Sequence, residues 1–231
     1  MLERCLAARA PLFDAGHTAA FRLFNGFTEG RPELVIDLYA RTAILTNYAD
    51  PPAAGMPYAD EAWQVLQRRL PWLRAAVLKL RNGLSPDERR GRLLFGAAPD
   101  ERVGEHGVWY AIGPLLRPEA GLFLDTRNLR RWAIDHLGGL TVLNTFAYTG
   151  SLGLAALAGG AQRVVQLDRN RLYLDIARRS YALNGLPARA RDFIAADFFR
   201  QVAAFRRQDE RFDCVFLDPP FFSVHNTGRV D

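Results

Sequence analysis

The chain is poor in cysteine, in lysine and in long apolar runs, and each shortage excludes something. Only Cys5 and Cys214 occur, far apart in sequence, which argues against a disulfide framework and against a cysteine metal site. A reducing cytoplasm fits that usage. No stretch approaches the roughly 18 apolar residues of a membrane span, so no transmembrane helix and no membrane partner are expected. The opening Met1-Leu2-Glu3-Arg4-Cys5 lacks the apolar run of a signal peptide. His17, His106, His136 and His225 are scattered, and neither His-Glu-x-x-His nor Cys-x-x-Cys occurs, so no metal site is expected. The Gly-x-Gly-x-x-Gly fingerprint is absent too, which argues against a dinucleotide pyrophosphate and makes a nicotinamide oxidoreductase a distant reading. Lys79 is the only lysine; every other strong base is arginine. Abundant alanine and arginine together suggest GC-rich codon usage. Arginine also contacts phosphate well, so the mild basicity permits a nucleic-acid partner without demonstrating one.

What is present is a core and an ordered pattern. Of the 231 residues 49% are hydrophobic, enough for a sizeable interior in one large domain or two small ones. Residues 1–112 read as a small mixed α/β domain. A short helix over Leu2 to Phe13 precedes two strands, Leu34 to Tyr39 and Thr42 to Thr46, and Ala40-Arg41 suits a hairpin between them. Pro51-Pro52-Ala53-Ala54-Gly55 breaks the pattern. Glu61 to Leu70 reads as a helix with Trp63, Leu66 and Leu70 on one face. Further strands are expected at Ala75 to Leu80, Arg92 to Phe95 and Val108 to Ile112.

Residues 113–231 alternate. A helix over Thr126 to Leu137, with Asp125 as N-cap, stops at Gly138-Gly139. Strand 141–146, helix 150–158, strand 163–167, helix 171–183, strand 193–195, helix 198–207 and strand 213–217 follow. This spacing implies right-handed βαβ units and a parallel sheet, with strand 141–146 between 163–167 and 213–217. Strand 213–217 is nearly all apolar, so it should be central and paired on both sides. The sequence runs only a few residues beyond it, and the expectation is the front part of a longer protein, by itself nearly incompetent in catalysis.

The strand ends carry the chemistry. Asn144-Thr145-Phe146-Ala147-Tyr148-Thr149-Gly150 is a small-residue turn between strand and helix. Gly150 permits the tight turn, and the free N–H groups of the helix start suit a carboxylate such as that of methionine. Asp168 ends the next strand, roughly 20 residues on, where an acidic residue accepts from ribose hydroxyls. Asp197 follows the third strand; it can accept from an adenine amine or simply cap the helix at Phe198. Asp218-Pro219-Pro220-Phe221 follows the fourth. Its prolines fix the backbone and remove two donors, which leaves carbonyl and carboxylate acceptors beside an aromatic ring. An Asp-Pro-Pro-aromatic step there points to methyl transfer from S-adenosylmethionine. Within Gly121-Leu122-Phe123-Leu124-Asp125-Thr126-Arg127, alternation places Phe123 and Asp125 on one face. Asp125 and Arg127 suit the amino and carboxylate ends of methionine, or else a helix cap and a surface arginine. Cys214, inside a strand, reads as structural.

Together these residues resemble the class I methyltransferases of the large-subunit ribosomal RNA cytosine-5 family. The Phe-x-Leu-Asp-x-Arg stretch, the Asn-x-Phe-Ala-Tyr-Thr-Gly turn and the Asp-Pro-Pro step carry the likeness. So does the stretch from Thr18-Ala19-Ala20-Phe21-Arg22-Leu23 to Ile36-Asp37-Leu38-Tyr39, which resembles the small domain ahead of the catalytic one. The resemblance implies a Rossmann-like α/β methyltransferase sheet, its front part only, preceded by a small mixed α/β domain. It implies S-adenosylmethionine as cofactor, held by Asn144 to Gly150, Asp168, Asp197 and Asp218, with Asp218 to Phe221 at the substrate and ribosomal RNA as partner. The sequence departs from the family in three places. The expectation is a member without the RNA-binding PUA domain and without the downstream segment that holds the catalytic cysteine, and Pro118-Glu119-Ala120 replaces a more polar approach to Gly121. Methylation of an exocyclic amine, a protein or a small molecule, and a cofactor-binding fragment without catalysis, stand as alternatives.

Overall fold

The computed structural model describes residues 1–116 and 118–220, together with the backbone of two short paired strands at Ser223–His225 and Gly228–Val230. The chain divides into two compact units, Met1–Leu124 and Asp125–Asp231.

The first unit runs α1 (Leu2–Ala8), β1 (Ala20–Asn25), α2 (Gly26–Glu29), β2 (Leu34–Tyr39), β3 (Thr42–Asn47), α3 (Met56–Arg69), β4 (Ala75–Leu80), α4 (Pro86–Arg90), β5 (Arg92–Phe95), β6 (Arg102–Glu105) and β7 (Val108–Ala111). The expected helix to Phe13 ends at Ala8 and resumes as a 3₁₀ turn over Ala10–Leu12, because Pro11 cannot continue an α-helix. β1 to β5 form one sheet in sequence order; only β3 and β4 pair in parallel, with α3 as their crossover. Ala40-Arg41 does close the β2–β3 hairpin, with Ala40 at φ +55°. Leu23, Ile36, Leu45 and Leu66 lose all exposure in a core between one sheet face and the helices α1 and α3.

Lys79 and Tyr39 hold the segment that follows β7. Lys79 Nζ donates to Pro118 O at 2.7 Å, and Tyr39 Oη donates to Leu122 O at 2.8 Å. Gly113 N donates to Ala120 O at 2.9 Å. Residues 113–124 therefore group with the first unit, whereas the sequence reading starts the second domain at 113. Two of their carbonyls, those of Pro118 and Leu122, accept from side chains of the first sheet, a link that periodicity does not reveal.

The second unit contains α5 (Arg127–His136), β8 (Thr141–Thr145), α6 (Ser151–Ala158), β9 (Arg163–Asp168), α7 (Arg171–Leu183), β10 (Phe193–Ala195), α8 (Phe198–Arg207) and β11 (Cys214–Leu217), then the short β12 (Ser223–His225) and β13 (Gly228–Val230). The main sheet has the order β10-β9-β8-β11, all parallel, so β8 lies between β9 and β11 as the alternation predicts. Period-two alternation divides its faces. Val142 and Val164 pack with Ala133, Leu152 and Ala155 under α5 and α6; Leu143, Val165 and Leu167 pack with Phe205 of α8. At the amino ends, Asp213 Oδ2 accepts from both the N–H and the hydroxyl of Thr141, each at 2.7 Å. Among the described residues β11 pairs with β8 alone, and Val215 and Leu217 remain 51% and 61% exposed. No helix among them is long and apolar enough to cross a membrane.

Candidate cofactor and active site

The sheet register aligns the candidate residues. Leu217, Thr145, Leu167 and Ile194 form one row across β11, β8, β9 and β10. One step beyond that row stand Asp218, Phe146 and Asp168, at the carboxyl edge where parallel sheets bind their ligands.

The turn after β8 is strongly bent. Phe146, Tyr148 and Gly150 take φ of +49°, +50° and +74°, so two non-glycine residues occupy the left-handed region. Neighbouring strands hold this shape. Ala147 N donates to Leu167 O at 3.0 Å, Tyr148 N donates to Asp168 Oδ2 at 2.8 Å, and Gly150 N donates to Ala147 O at 2.7 Å. A Cβ on Gly150 would lie 2.7 Å from Ala177 Cβ and 3.0 Å from Gln166 Nε2, so both the space and the dihedral require glycine. Beneath the turn, Asn144 Nδ2 donates to Gln166 Oε1 at 2.8 Å. Gln166 Nε2 in turn donates to Gly150 O at 3.0 Å and to Tyr181 Oη at 3.1 Å. Asn144 is thus buried and supports the turn from below. Ala147 and Thr149 are buried as well, while Phe146 and Tyr148 are partly exposed. Gln166 is a support of the turn that sequence reasoning missed. Its only signal is an amide within the apolar Val164-Val165-Gln166-Leu167.

Asp168 receives two backbone donors, Tyr148 N on Oδ2 and Asn170 N on Oδ1, both at 2.8 Å. Burial pushes its carboxyl above the usual aspartate range, and these two N–H groups oppose the shift only in part. Each oxygen keeps a second lone pair for a ligand hydroxyl. Asp197 caps α8: its Oδ1 accepts from Arg200 N at 3.1 Å. Phe198, the next residue, lies 5.0 Å from the Phe146 ring, and Tyr148 meets Tyr173 edge-on at 4.5 Å.

Asp218, Pro219 and Pro220 are exposed where the chain leaves β11, and Phe221 lies outside the described residues. Thr145 Oγ1 donates to Phe216 O at 2.7 Å and fixes that exit against β8. The segment ahead of α5 differs from expectation. The helix begins at Arg127 rather than Thr126, and its N-cap is Thr126, without a side-chain cap bond, rather than Asp125. Thr126 Oγ1 instead accepts from Nη1 of the fully buried Arg130 at 2.6 Å, and this bond fixes the first turn of α5. Asp125 stays exposed and Arg127 half-buried at the helix start.

N–H donors at the turn, the Asp168 carboxylate and the second carboxylate of Asp197 follow one another along adjacent strand ends. That order suits a ligand with an acid group, a ribose diol and an aminopurine. A model of the S-adenosylmethionine-dependent methyltransferase family matches residues 86–228. The chain is 31% identical over its whole length to ribosomal RNA large subunit methyltransferase I of Alteromonas mediterranea, and it spans 58% of that relative's length. A putative S-adenosylmethionine-dependent methyltransferase from Streptococcus mutans shares the fold over 96% of this chain and 58% of its own, at TM-score 0.84 and 24% identity. A putative methyltransferase complexed with S-adenosylhomocysteine does so over 99% and 58%, at TM-score 0.85 and 24% identity. With the matched region running from the first unit through the turn, Asp168, Asp197 and Asp218, the chain belongs to the S-adenosylmethionine-dependent methyltransferase family.

Proposed function

We propose that this protein transfers the methyl group of S-adenosylmethionine to a base of ribosomal RNA, with residues 125–231 as the cofactor domain and the first unit as an accessory domain. The observation that carries this reading is the row of strand ends, where Tyr148 N is tied to Asp168 while Asp218-Pro219-Pro220 leaves the neighbouring strand. The similarity to a ribosomal RNA methyltransferase supports RNA as the substrate.

The cofactor supplies an electrophilic methyl on a sulfonium. The N–H groups at the start of α6 take the methionine carboxylate, with Asp125 and Arg127 at its polar end. Asp168 accepts from the ribose hydroxyls, and Asp197 accepts from the adenine amine through the oxygen that does not cap α8. Asp218 and the Pro219 carbonyl accept N–H donors of the target base and align its nucleophilic atom, and Phe221 supplies a stacking surface.

The resemblance names cytosine carbon 5, whose methylation requires a thiol adduct at carbon 6. Neither cysteine of this chain suits that role. Cys5 is buried in the first unit with its thiol donating to Glu29 at 3.2 Å, and burial and that bond raise its pKa. Burial also raises Cys214, inside β11. Carbon-5 chemistry would need a thiol other than these two, whereas the acceptors of Asp218-Pro219-Pro220 suit an exocyclic amine directly. The test is transfer from methyl-labelled cofactor to ribosomal RNA of a strain lacking the gene, followed by nucleoside analysis. Labelled nucleoside is expected, and its identity fixes the atom. Label found only in protein or small molecules would overturn the reading.

A further inference from the structure

Phe199 is 78% exposed at the carboxyl edge of the second-unit sheet, a place where the packing does not require it. Phe198 and Phe205 enter the core with Leu143 and Val165; Phe199, about 100° further round α8, belongs to no core cluster. It nevertheless continues an aromatic line. Phe199 meets Phe198 edge-on at 5.2 Å, and Phe198 meets Phe146 of the cofactor turn at 5.0 Å. Leu172, at the start of α7, is 52% exposed. Ala195 aligns with Asp168 and Ala196 N donates to Asp168 O at 3.1 Å, so the α7 and α8 starts leave adjacent strand ends. Arg169, Arg171 and Arg200 are exposed on those two starts.

An exposed ring backed by a second ring, with exposed arginines on its own helix start and on the start leaving the adjacent strand end, is the composition of a base-stacking platform. Every base offers a π-face, and the arginines meet the phosphates on either side. We propose that Phe199 stacks on an unpaired base of a single-stranded RNA segment, with Arg169, Arg171 and Arg200 along its backbone, and so guides the strand toward the methyl-transfer site. This rests on the RNA reading above and adds to it the residue that receives the strand. Single-stranded RNA is favoured over a protein partner because the apolar surface is one ring and one leucine among three arginines, too small and too charged for a protein interface core.

The experiment measures fluorescence anisotropy of a short labelled single-stranded RNA, and of the same RNA as a duplex, with the full chain. Phe199→Ala should weaken single-strand binding about tenfold and leave duplex binding unchanged, while Phe199→Trp restores it. The slope of log affinity against log salt should stay the same in Phe199→Ala and shrink by about 0.7 in Arg200→Ala. Calorimetric affinity for S-adenosylhomocysteine should match wild type in Phe199→Ala. If wild type binds single-stranded RNA and Phe199→Ala binds it equally well, the platform is wrong and the RNA reading stands. If Phe199→Ala loses S-adenosylhomocysteine in the same proportion, the ring serves the cofactor and the platform is also wrong. If wild type binds no RNA, both fall.

Discussion

The backbone N–H of Tyr148 donates to Asp168 Oδ2 at 2.8 Å, so the bent turn after β8 and the carboxylate ending β9 form one rigid element. Loss of that carboxylate therefore acts twice. Asp168→Ala removes charge-assisted bonds worth roughly 1.5–3 kcal/mol each to the ribose and frees the turn that presents the helix N-terminus. Calorimetry should show S-adenosylhomocysteine affinity lowered at least about tenfold. Unchanged binding by a folded variant would reject the role.

The same carboxyl gives the binding a pH signature. Burial raises it in the folded chain, so its charged, accepting form is lost sooner on acidification than that of a free aspartate. Cofactor affinity should fall as pH drops through that raised value, before the ordinary aspartate range is reached. A titration in which affinity holds down to the ordinary aspartate range of about 3.9 would contradict it.

Gly150→Ala places a methyl group 2.7 Å from Ala177 Cβ on a residue at φ +74°. Left-handed strain and overpacking act together, and the expected loss is about 2–4 kcal/mol of unfolding free energy in urea. Gly107, at φ +79° with nothing within 4 Å of its added Cβ, is the control for strain alone, and Gly107→Ala should cost about 1 kcal/mol. Equal losses would mean that the close approach under the turn carries no weight.

Legibility in the sequence follows how local the cause is. The second unit was readable because Val142-Leu143 and Val164-Val165 are short apolar runs between glycine-terminated helices, and each strand pairs with neighbours of the same kind. In the first unit β1 was not expected as a strand: its register slips between Arg22 and Phe24, which brings Phe21, Leu23 and Phe24 all inward and breaks alternation. β6 has one apolar residue, Val103, and pairs because Val108 to Ala111 turns back on it. At the site, the turn and Asp168 follow from strand-end rules. Gln166 does not, since its role depends on three groups distant in sequence, Asn144, Gly150 and Tyr181. Thr126 replaces Asp125 as N-cap of α5, a difference of one residue that pattern does not resolve.

Lys79 predicts an unusual alkaline response. Burial lowers its pKa from 10.5 to about 8 in the fold, against opposing attraction from Glu119 and Asp37. Between those values the unfolded chain binds the proton that the folded chain has released, so stability should rise with pH across that window. The rise should approach about 3 kcal/mol by urea unfolding. Lys79→Met should abolish it, while the raised thiols of Cys5 and Cys214 act alike in both proteins. A wild-type curve parallel to that of Lys79→Met would show that the lysine keeps an ordinary value.

Val215 and Leu217 are half or more exposed on a strand that pairs, among the described residues, on one side only. Val215→Lys with Leu217→Lys should change unfolding free energy by no more than about 1 kcal/mol and should suppress concentration-dependent association in sedimentation. A large loss of stability would show that these side chains are already packed.

Asn144 and Gln166 stand directly opposite one another in the β8–β9 register, and their amides bond at 2.8 Å. The valines around them fit nearly as well if the strands slide, because one aliphatic contact resembles the next. The amides do not. A slip of one residue sends Gln166 to the opposite face, among Leu143, Val165 and Phe205, with its donors unmet. An unpaired buried amide costs about 1–3 kcal/mol, so misaligned sheets are penalised while the native alignment is not. The pair acts as a key cut into a greasy lock: during folding it rejects the near-miss alignments in which Asp168 could never meet Tyr148.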